Sequence, residues 1–138
     1  MINRWPNMDM LLPHAKPMIL LDRVVSFDVP EILCTTQVRP GNLFGLMIAL
    51  EWMAQAAAAY ATLNTTDHCA PKQGYLIGVR DFKLHVDHWH EGHTLFVSAR
   101  HVFGEVHLGQ FECSVLNENK SMAAQAILSV YVPSEERS

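Results

Sequence analysis

The sequence is poor in cysteine: Cys34, Cys69 and Cys113 are the only three in 138 residues. They are isolated, odd in number and show no CxxC spacing, which excludes a disulfide framework and a zinc knuckle. They read as buried or incidental thiols of a reducing compartment. Nothing around Cys69 activates it as a nucleophile. The chain also lacks a Gly-x-Ser-x-Gly elbow, a phosphate-binding glycine loop and a paired Cys/His signature. Charge is sparse: 10 Lys and Arg against 14 Asp and Glu, net -4. No run of like charge forms a tail, and no basic stripe points to nucleic acid. The opening Met1-Ile2-Asn3-Arg4-Trp5-Pro6 carries no apolar signal region, so a cytoplasmic location is expected. Apolar residues make up 49 %, a share that rules out disorder and suits a single domain over residues 1–138. No repeat, linker or low-complexity stretch divides it.

One long apolar run is present, from Leu43 to Leu63, and its alanine content favours helix. Asn42 is the expected N-cap, and Asn64-Thr65-Thr66-Asp67 ends the helix. A membrane span is not expected. Alanine is only weakly hydrophobic, and Glu51 and Gln55 sit near the middle, where an ionised carboxylate costs roughly 2.5–3.5 kcal/mol. A helix apolar on every side fits the centre of a folded core equally well.

The remainder alternates as strands do. Met18–Phe27 and Glu31–Val38 form a hairpin through Asp28-Val29-Pro30, with Ile32, Cys34, Thr36 and Val38 on one face. After the helix come strands over Tyr75–Leu84, Thr94–Phe103, Val106–Leu116 and Met122–Val132. A short helical turn is expected around Asn7–Leu12, within a proline-rich lead-in. The order β-β-α-β-β-β-β predicts an α+β fold in which a curved antiparallel sheet of about six strands wraps one long central helix. One small sheet cannot cover such a helix on all sides, so dimerisation is the natural way to close the core.

Glu51 is the only charged side chain between Leu43 and Leu63. Buried carboxylates are rare unless paired or functional. Burial favours the protonated form, which suits a general acid. Gln55, four residues on, shares its helical face. A structural carboxylate satisfied by a neighbouring loop is the competing reading. His14, in Leu12-Pro13-His14-Ala15-Lys16-Pro17, sits in a loop stiffened by prolines; a lone histidine is more often a hydrogen-bonded surface residue than a base. The cluster Asp87-His88-Trp89-His90-Glu91-Gly92-His93 invites a metal reading through His88, Glu91 and His93. It lies in a loop without the helical spacing that fixes ligand geometry, so a solvated loop is expected and no metal or other cofactor. His101 and His107 flank a hairpin turn and are expected to face solvent.

Three segments together match something known. Leu11 to Val24, with its Leu-Pro-His-Ala-Lys-Pro core, resembles the opening of the 3-hydroxyacyl-(acyl carrier protein) dehydratases. Glu51-Trp52-Met53-Ala54-Gln55-Ala56-Ala57 resembles their central helix. Gly74 to Lys83 is similar to their third strand. Order and spacing hold over about residues 9–132. The resemblance implies a hotdog fold, paired into dimers, with a site at the dimer interface. There a histidine of one subunit removes the α-proton, the helix carboxylate of the other handles the β-hydroxyl, and a backbone N–H near the helix start holds the thioester carbonyl. Dehydration needs all three: a base at Cα, an acid at the leaving hydroxyl and a polarised carbonyl.

The chain departs from that pattern just before the helix. The family carries its catalytic histidine there, in a His-Phe-Pro-Gly segment. Here the segment is Arg39-Pro40-Gly41-Asn42-Leu43-Phe44-Gly45, without histidine, and the helix glycine falls at Gly45. This shortening resembles a divergent branch found with aryl polyene pigment synthesis, beside type II polyketide synthase enzymes. Two accounts fit: His14 serves as base, or a second hotdog subunit supplies one. The resemblance thus implies dehydration of 3-hydroxyacyl chains on an acyl carrier protein to trans-2-enoyl products. A non-catalytic subunit of a heterodimeric dehydratase and an acyl thioesterase are the alternatives, since fold alone does not choose a chemistry. Glu51 and His14 are the implied catalytic residues, with Gly45, Gln55, Trp52 and Met47 binding substrate. Met53, Tyr60 and Phe82 are further candidates for an acyl-chain lining. Arg39, Arg80, Lys83 and Lys16 could form a local docking patch for an acidic carrier protein.

Overall fold

The computed structural model describes residues 5–11, 19–41, 45–64, 75–104 and 108–131. After a short helix α1 (Met8–Leu11) come strands β1 (Arg23–Asp28) and β2 (Glu31–Gln37). A 3-10 turn, Gly45–Met47, leads into the central helix α2 (Ile48–Leu63). Four strands follow: β3 (Tyr75–Leu84), β4 (Thr94–Gly104), β5 (Leu108–Leu116) and β6 (Met122–Tyr131). They form one six-stranded antiparallel sheet in the order β1-β2-β4-β5-β6-β3. The expected architecture of one helix against six antiparallel strands is observed.

The alternation in the strands sets which face meets the helix. Ile32, Cys34 and Thr36 on β2, Leu95, Val97 and Ala99 on β4, and Phe111, Cys113 and Val115 on β5 all point inward and are buried. Against them α2 buries Ile48, Ala49, Trp52, Met53, Ala56, Ala57, Ala59 and Tyr60. Fully buried residues such as Ile32 and Leu128 contribute roughly 1.5–3 kcal/mol each. The alanines let the helix lie close to the sheet. By length and composition Gly45–Leu63 could cross a membrane; in this structure it is packed against the sheet.

The helix has one face the chain does not fully cover, along Leu50, Ala54, Ala58 and Ala61, with Glu51 beside it. The sheet has a matching gap at its β3 edge. Leu76 and Val79 pair with the inward-facing Val130 and Leu128, yet they are 42 % and 41 % exposed. Ile77, at a register shift, is 59 % exposed. Inward-facing apolar residues left open make this an exposed apolar edge.

Several boundaries differ from expectation. The α-helix begins at Ile48 rather than Leu43, because Gly45 adopts φ +58, a left-handed conformation that no α-helix passes through. The N-cap position of α2 is Met47; the expected cap, Asn42, lies outside the described residues. The first strand begins at Arg23, not Met18. Ile19 and Leu21 are buried, but Leu20 gives its N–H to a helix side chain rather than to a sheet ladder, so this stretch is a strap across α2. The expected strand starts at Met18 and Val106, and the end at Val132, fall outside the described residues.

His101 corrects another expectation. It is half-buried, its ring 5.1 Å from Phe111 and 5.9 Å from Tyr60, because odd-numbered positions of β4 face the core. His107 lies outside the described residues. Burial pushes the Cys34 thiol up to about 12 and raises Cys113 further, with Glu112 adding to the shift. Thiolate is the reactive form, so both cysteines should resist alkylation in the native protein and react only after denaturation. Peptide mapping after a short exposure to iodoacetamide checks this; labelling of Cys34 under native conditions would contradict it.

Candidate active site

The site starts from helical spacing. Met47, Glu51 and Gln55 recur every four residues and so share one side of the helix and its entry turn. Met47 is 51 % exposed, Glu51 half-buried and Gln55 fully buried. A buried amide must be satisfied on both its polar atoms. Gln55 Oε1 accepts from the Leu20 N–H at 2.9 Å, and that fixes which way the amide points. Its Nε2 is then turned to Glu51 and donates to Oε2 at 3.3 Å. Gln55 thus ties the strap to the helix and presents a donor to the carboxylate.

The strap is held from the sheet side as well. Thr36 Oγ1 donates to the Leu20 carbonyl at 2.7 Å. The Arg39 guanidinium donates to the carbonyls of Ile19 at 3.0 Å and Leu20 at 3.4 Å, and pairs with Asp22 at 3.5 Å. Asp22 N–H donates to the Thr35 carbonyl at 2.7 Å. At the other end of the helix, Thr62 Oγ1 donates to the Leu11 carbonyl at 2.9 Å. Residues 12–18, which include His14 and Lys16, lie between these two anchors and outside the described residues.

Gly45 stands six residues before Glu51, at the start of the turn that leads into α2. Among the described residues nothing lies within 4 Å of where its Cβ would sit. The start of α2 has no side-chain cap hydrogen bond, and backbone N–H groups at a helix start favour negative charge. Trp52 is next to Glu51 in sequence but turned about 100° around the helix. It is buried, 3 % exposed, with its ring edge-on to Trp89 at 5.0 Å. Met53 and Tyr60 are buried in the core, and Phe82 is half-buried against it.

The family profile of the ApeP-like proteins, described as ApeP dehydratase, matches residues 6–138. The chain belongs to the ApeP-like dehydratase family. This places it with the hotdog dehydratases of aryl polyene synthesis. Among solved structures, the dehydratase heterocomplex ApeI:P from Xenorhabdus doucetiae superposes with a TM-score of 0.84 at 23 % identity, over 96 % of this chain and 94 % of that one. The smu.793 protein of Streptococcus mutans, bound to acetyl-CoA, gives 0.64 at 18 % identity, over 83 % and 90 %. The E. coli PaaI protein of the phenylacetic acid degradation operon gives 0.65 at 13 % identity, over 83 % and 80 %. These likenesses establish the hotdog fold. No curated protein sequence matches the chain.

Within this dehydratase fold the expected site residues divide clearly. Glu51 and Gln55 are brought together, Met47 lies on their side, and Gly45 begins the turn above them. Trp52 points into the core instead. The expected docking residues do not gather in one chain. Arg39 is engaged with the strap at the end of β2, while Arg80 and Lys83 lie on β3. Three strands separate β2 from β3, a distance of roughly 19 Å at about 4.8 Å per strand. Among the described residues no three His, Cys, Asp or Glu side chains are placed to hold a metal. The His88 ring meets His90 edge-on at 4.2 Å, and His90 lies tilted against His93 at 5.1 Å, with Asp87 at 2.9 Å from His88 Nδ1. Two surface depressions, of about 460 Å³ on the outer sheet face and about 640 Å³ beside this loop, are not lined by Glu51.

Two contributors escaped sequence reasoning. Thr36 was legible as a polar residue on a buried strand face, which demands a partner, though not which one. Arg39 was not, because its acceptors are backbone carbonyls twenty and nineteen residues away.

Proposed function

We propose that this chain dehydrates 3-hydroxyacyl thioesters carried on an acyl carrier protein, giving trans-2-enoyl thioesters, with Glu51 as the general acid. The observation that carries this reading is the orientation of Gln55. With its amide oxygen occupied by the Leu20 N–H, its nitrogen offers a donor to one oxygen of the Glu51 carboxyl. In the acid form the carbonyl oxygen takes that hydrogen bond, and the other oxygen carries the proton to the substrate. Loss of the β-hydroxyl then proceeds in a balanced way. A base removes the proton from C2, the double bond forms between C2 and C3, and the C3–O bond breaks as Glu51 protonates the departing oxygen to water. Charge developing on the thioester oxygen is met by the backbone N–H at Gly45. Met47 lines the approach on the Glu51 side, and Trp52 backs the turn from within.

His14 is the proposed base. His14 lies six residues before Leu20 in sequence; the Leu20 N–H is held by Gln55, and Gln55 is one helical turn, about 6 Å, from Glu51. The segment that carries a histidine in related dehydratases has none here, which favours a base from elsewhere. The ApeI:P assembly, a heterocomplex, supports a second reading in which a partner subunit supplies that base. Either way the site is completed by pairing. The open face of α2 and the apolar β3 edge, with Leu76, Ile77 and Val79, are the proposed interface for a second hotdog subunit, like or unlike.

Val79→Lys places a charge in that interface and should shift the assembly toward monomer. Association should weaken by about 30-fold or more, the effect of losing a contact worth about 2 kcal/mol. Light scattering across a dilution series measures it; an unshifted dimer would exclude this edge. The chemistry is tested with a 3-hydroxyacyl carrier protein by following enoyl thioester formation and free thiol in parallel. Enoyl product without thiol release is expected. Thiol release without enoyl product would make the chain a thioesterase.

A further inference from the structure

The histidine-rich loop has no part in the reaction drawn above, yet it reaches the turn on which that reaction depends. The loop runs from His85 to His93, between β3 and β4, and is fastened to the end of β2. Val38 N–H donates to the His93 carbonyl and Gly92 N–H to the Val38 carbonyl, each at 2.9 Å. Gln37 Nε2 donates to the Gly92 carbonyl at 3.1 Å. Gly92 turns the chain in a left-handed conformation, φ +85. From this fixed base Trp89 extends inward. Its Nε1–H donates to the Leu46 carbonyl at 3.2 Å, and its ring packs edge-on to Trp52 at 5.0 Å and 69°.

Leu46 is the middle residue of the Gly45–Met47 turn. That turn begins a helix with no side-chain cap, opens on a glycine in a left-handed conformation, and has no fully buried residue. Such a turn is prone to fraying. We infer that Trp89 is a positioning residue: its indole N–H latches the Leu46 carbonyl and its ring wedges against Trp52, so the Gly45–Met47 turn stays at the height where its N–H meets the thioester oxygen. This rests on the reading of Gly45 given under Proposed function. A misplacement of about 1 Å is enough to cost a positioned donor much of its effect. The aromatic face adds to the contact without the N–H, so the two parts are separable.

Trp89→Phe keeps a ring against Trp52 and removes the donor. Two readouts on the full chain, in whatever assembly is active, decide the matter. Hydrogen exchange of the peptide spanning Gly45–Met47 should rise about five- to tenfold, the effect of losing one neutral hydrogen bond. The kcat for dehydration should fall about tenfold while KM moves less than threefold. Unchanged exchange would overturn the latch. Faster exchange with unchanged kcat would overturn its role in positioning. Should Trp89→Phe lower the yield of folded protein, Trp52→Phe tests the ring contact from the other side, and it should raise exchange less than Trp89→Phe does. Glu51→Gln is the control that separates this inference from the function. It should stop turnover yet leave exchange at Gly45–Met47 unaltered. An inactive wild-type protein in every assembly would remove the catalytic role of the latch, with the exchange readout still deciding whether the latch exists.

Discussion

Glu51→Gln is expected to reduce kcat for dehydration by about 10²–10⁴-fold while the protein stays folded. The two side chains have nearly the same volume, so packing on α2 is preserved. The amide oxygen of the new side chain can still accept from Gln55 Nε2, which keeps the buried amide satisfied. What is lost is an acidic proton for the departing hydroxyl. Rates on a 3-hydroxyacyl carrier protein, with thermal unfolding measured alongside, check it. A fully active Glu51→Gln protein would sink the assignment. A variant that unfolds near wild-type temperature yet turns over nothing would place Glu51 in the chemistry and not in the scaffold.

His14→Ala is expected to lower kcat on a similar scale, about 10²–10⁴-fold, and to do something Glu51→Gln need not do. It should suppress exchange of the α-proton of the acyl chain with deuterated solvent, because that proton is the one the base removes. Mass spectrometry of recovered substrate reads the exchange directly. Unchanged turnover and unchanged exchange would remove His14 from the mechanism and assign the base to a partner subunit. The two variants therefore divide the reaction at its two proton transfers.

Much of this fold is legible in the sequence for a simple physical reason: its elements are locally consistent. The apolar run that ends at Leu63 reads as helix, being alanine-rich without an internal proline, and α2 occupies Ile48–Leu63 of it. The strand over Tyr75–Leu84 is observed with its expected bounds; Gly74 precedes it and the polar Asp87–Gly92 loop follows shortly after. The pairing of Glu51 with Gln55 also followed from spacing, since four residues make one helical turn. The strap was not legible. Ile19, Leu20 and Leu21 have the composition of a strand, and long-range side-chain bonds from Gln55, Thr36 and Arg39 to their backbone take them out of the sheet. The start of α2 was misplaced for a related reason. The left-handed φ of Gly45 is a property of the fold around it, and a glycine after an apolar pair does not announce it. His101 looked like a turn residue because it nears the β4–β5 hairpin, but strand parity turns it inward onto Tyr60 and Phe111. Trp89 lies among histidines that invite a metal reading rather than an anchoring one. A large aromatic in a polar loop was itself the signal that the loop is anchored.

Among the described residues, the arrangement leaves part of α2 open. The sheet covers α2 on the side of Trp52, Met53 and Ala56, and the strap covers the side of Gln55. The stripe of Leu50, Ala54 and Ala58 is left partly open next to Glu51. A subunit laid along the β3 edge would cover that stripe and exclude water from the carboxylate, so assembly and catalysis should be lost together when the edge is broken.

The most direct test of the central claim is a mass-spectrometric assay of the purified chain with a 3-hydroxyacyl carrier protein, first alone and then with a partner hotdog subunit. The account predicts loss of one water from the acyl chain in at least one of the two, and no such loss when this chain carries Glu51→Gln. Water loss that persists undiminished with Glu51→Gln in the same assembly would contradict it.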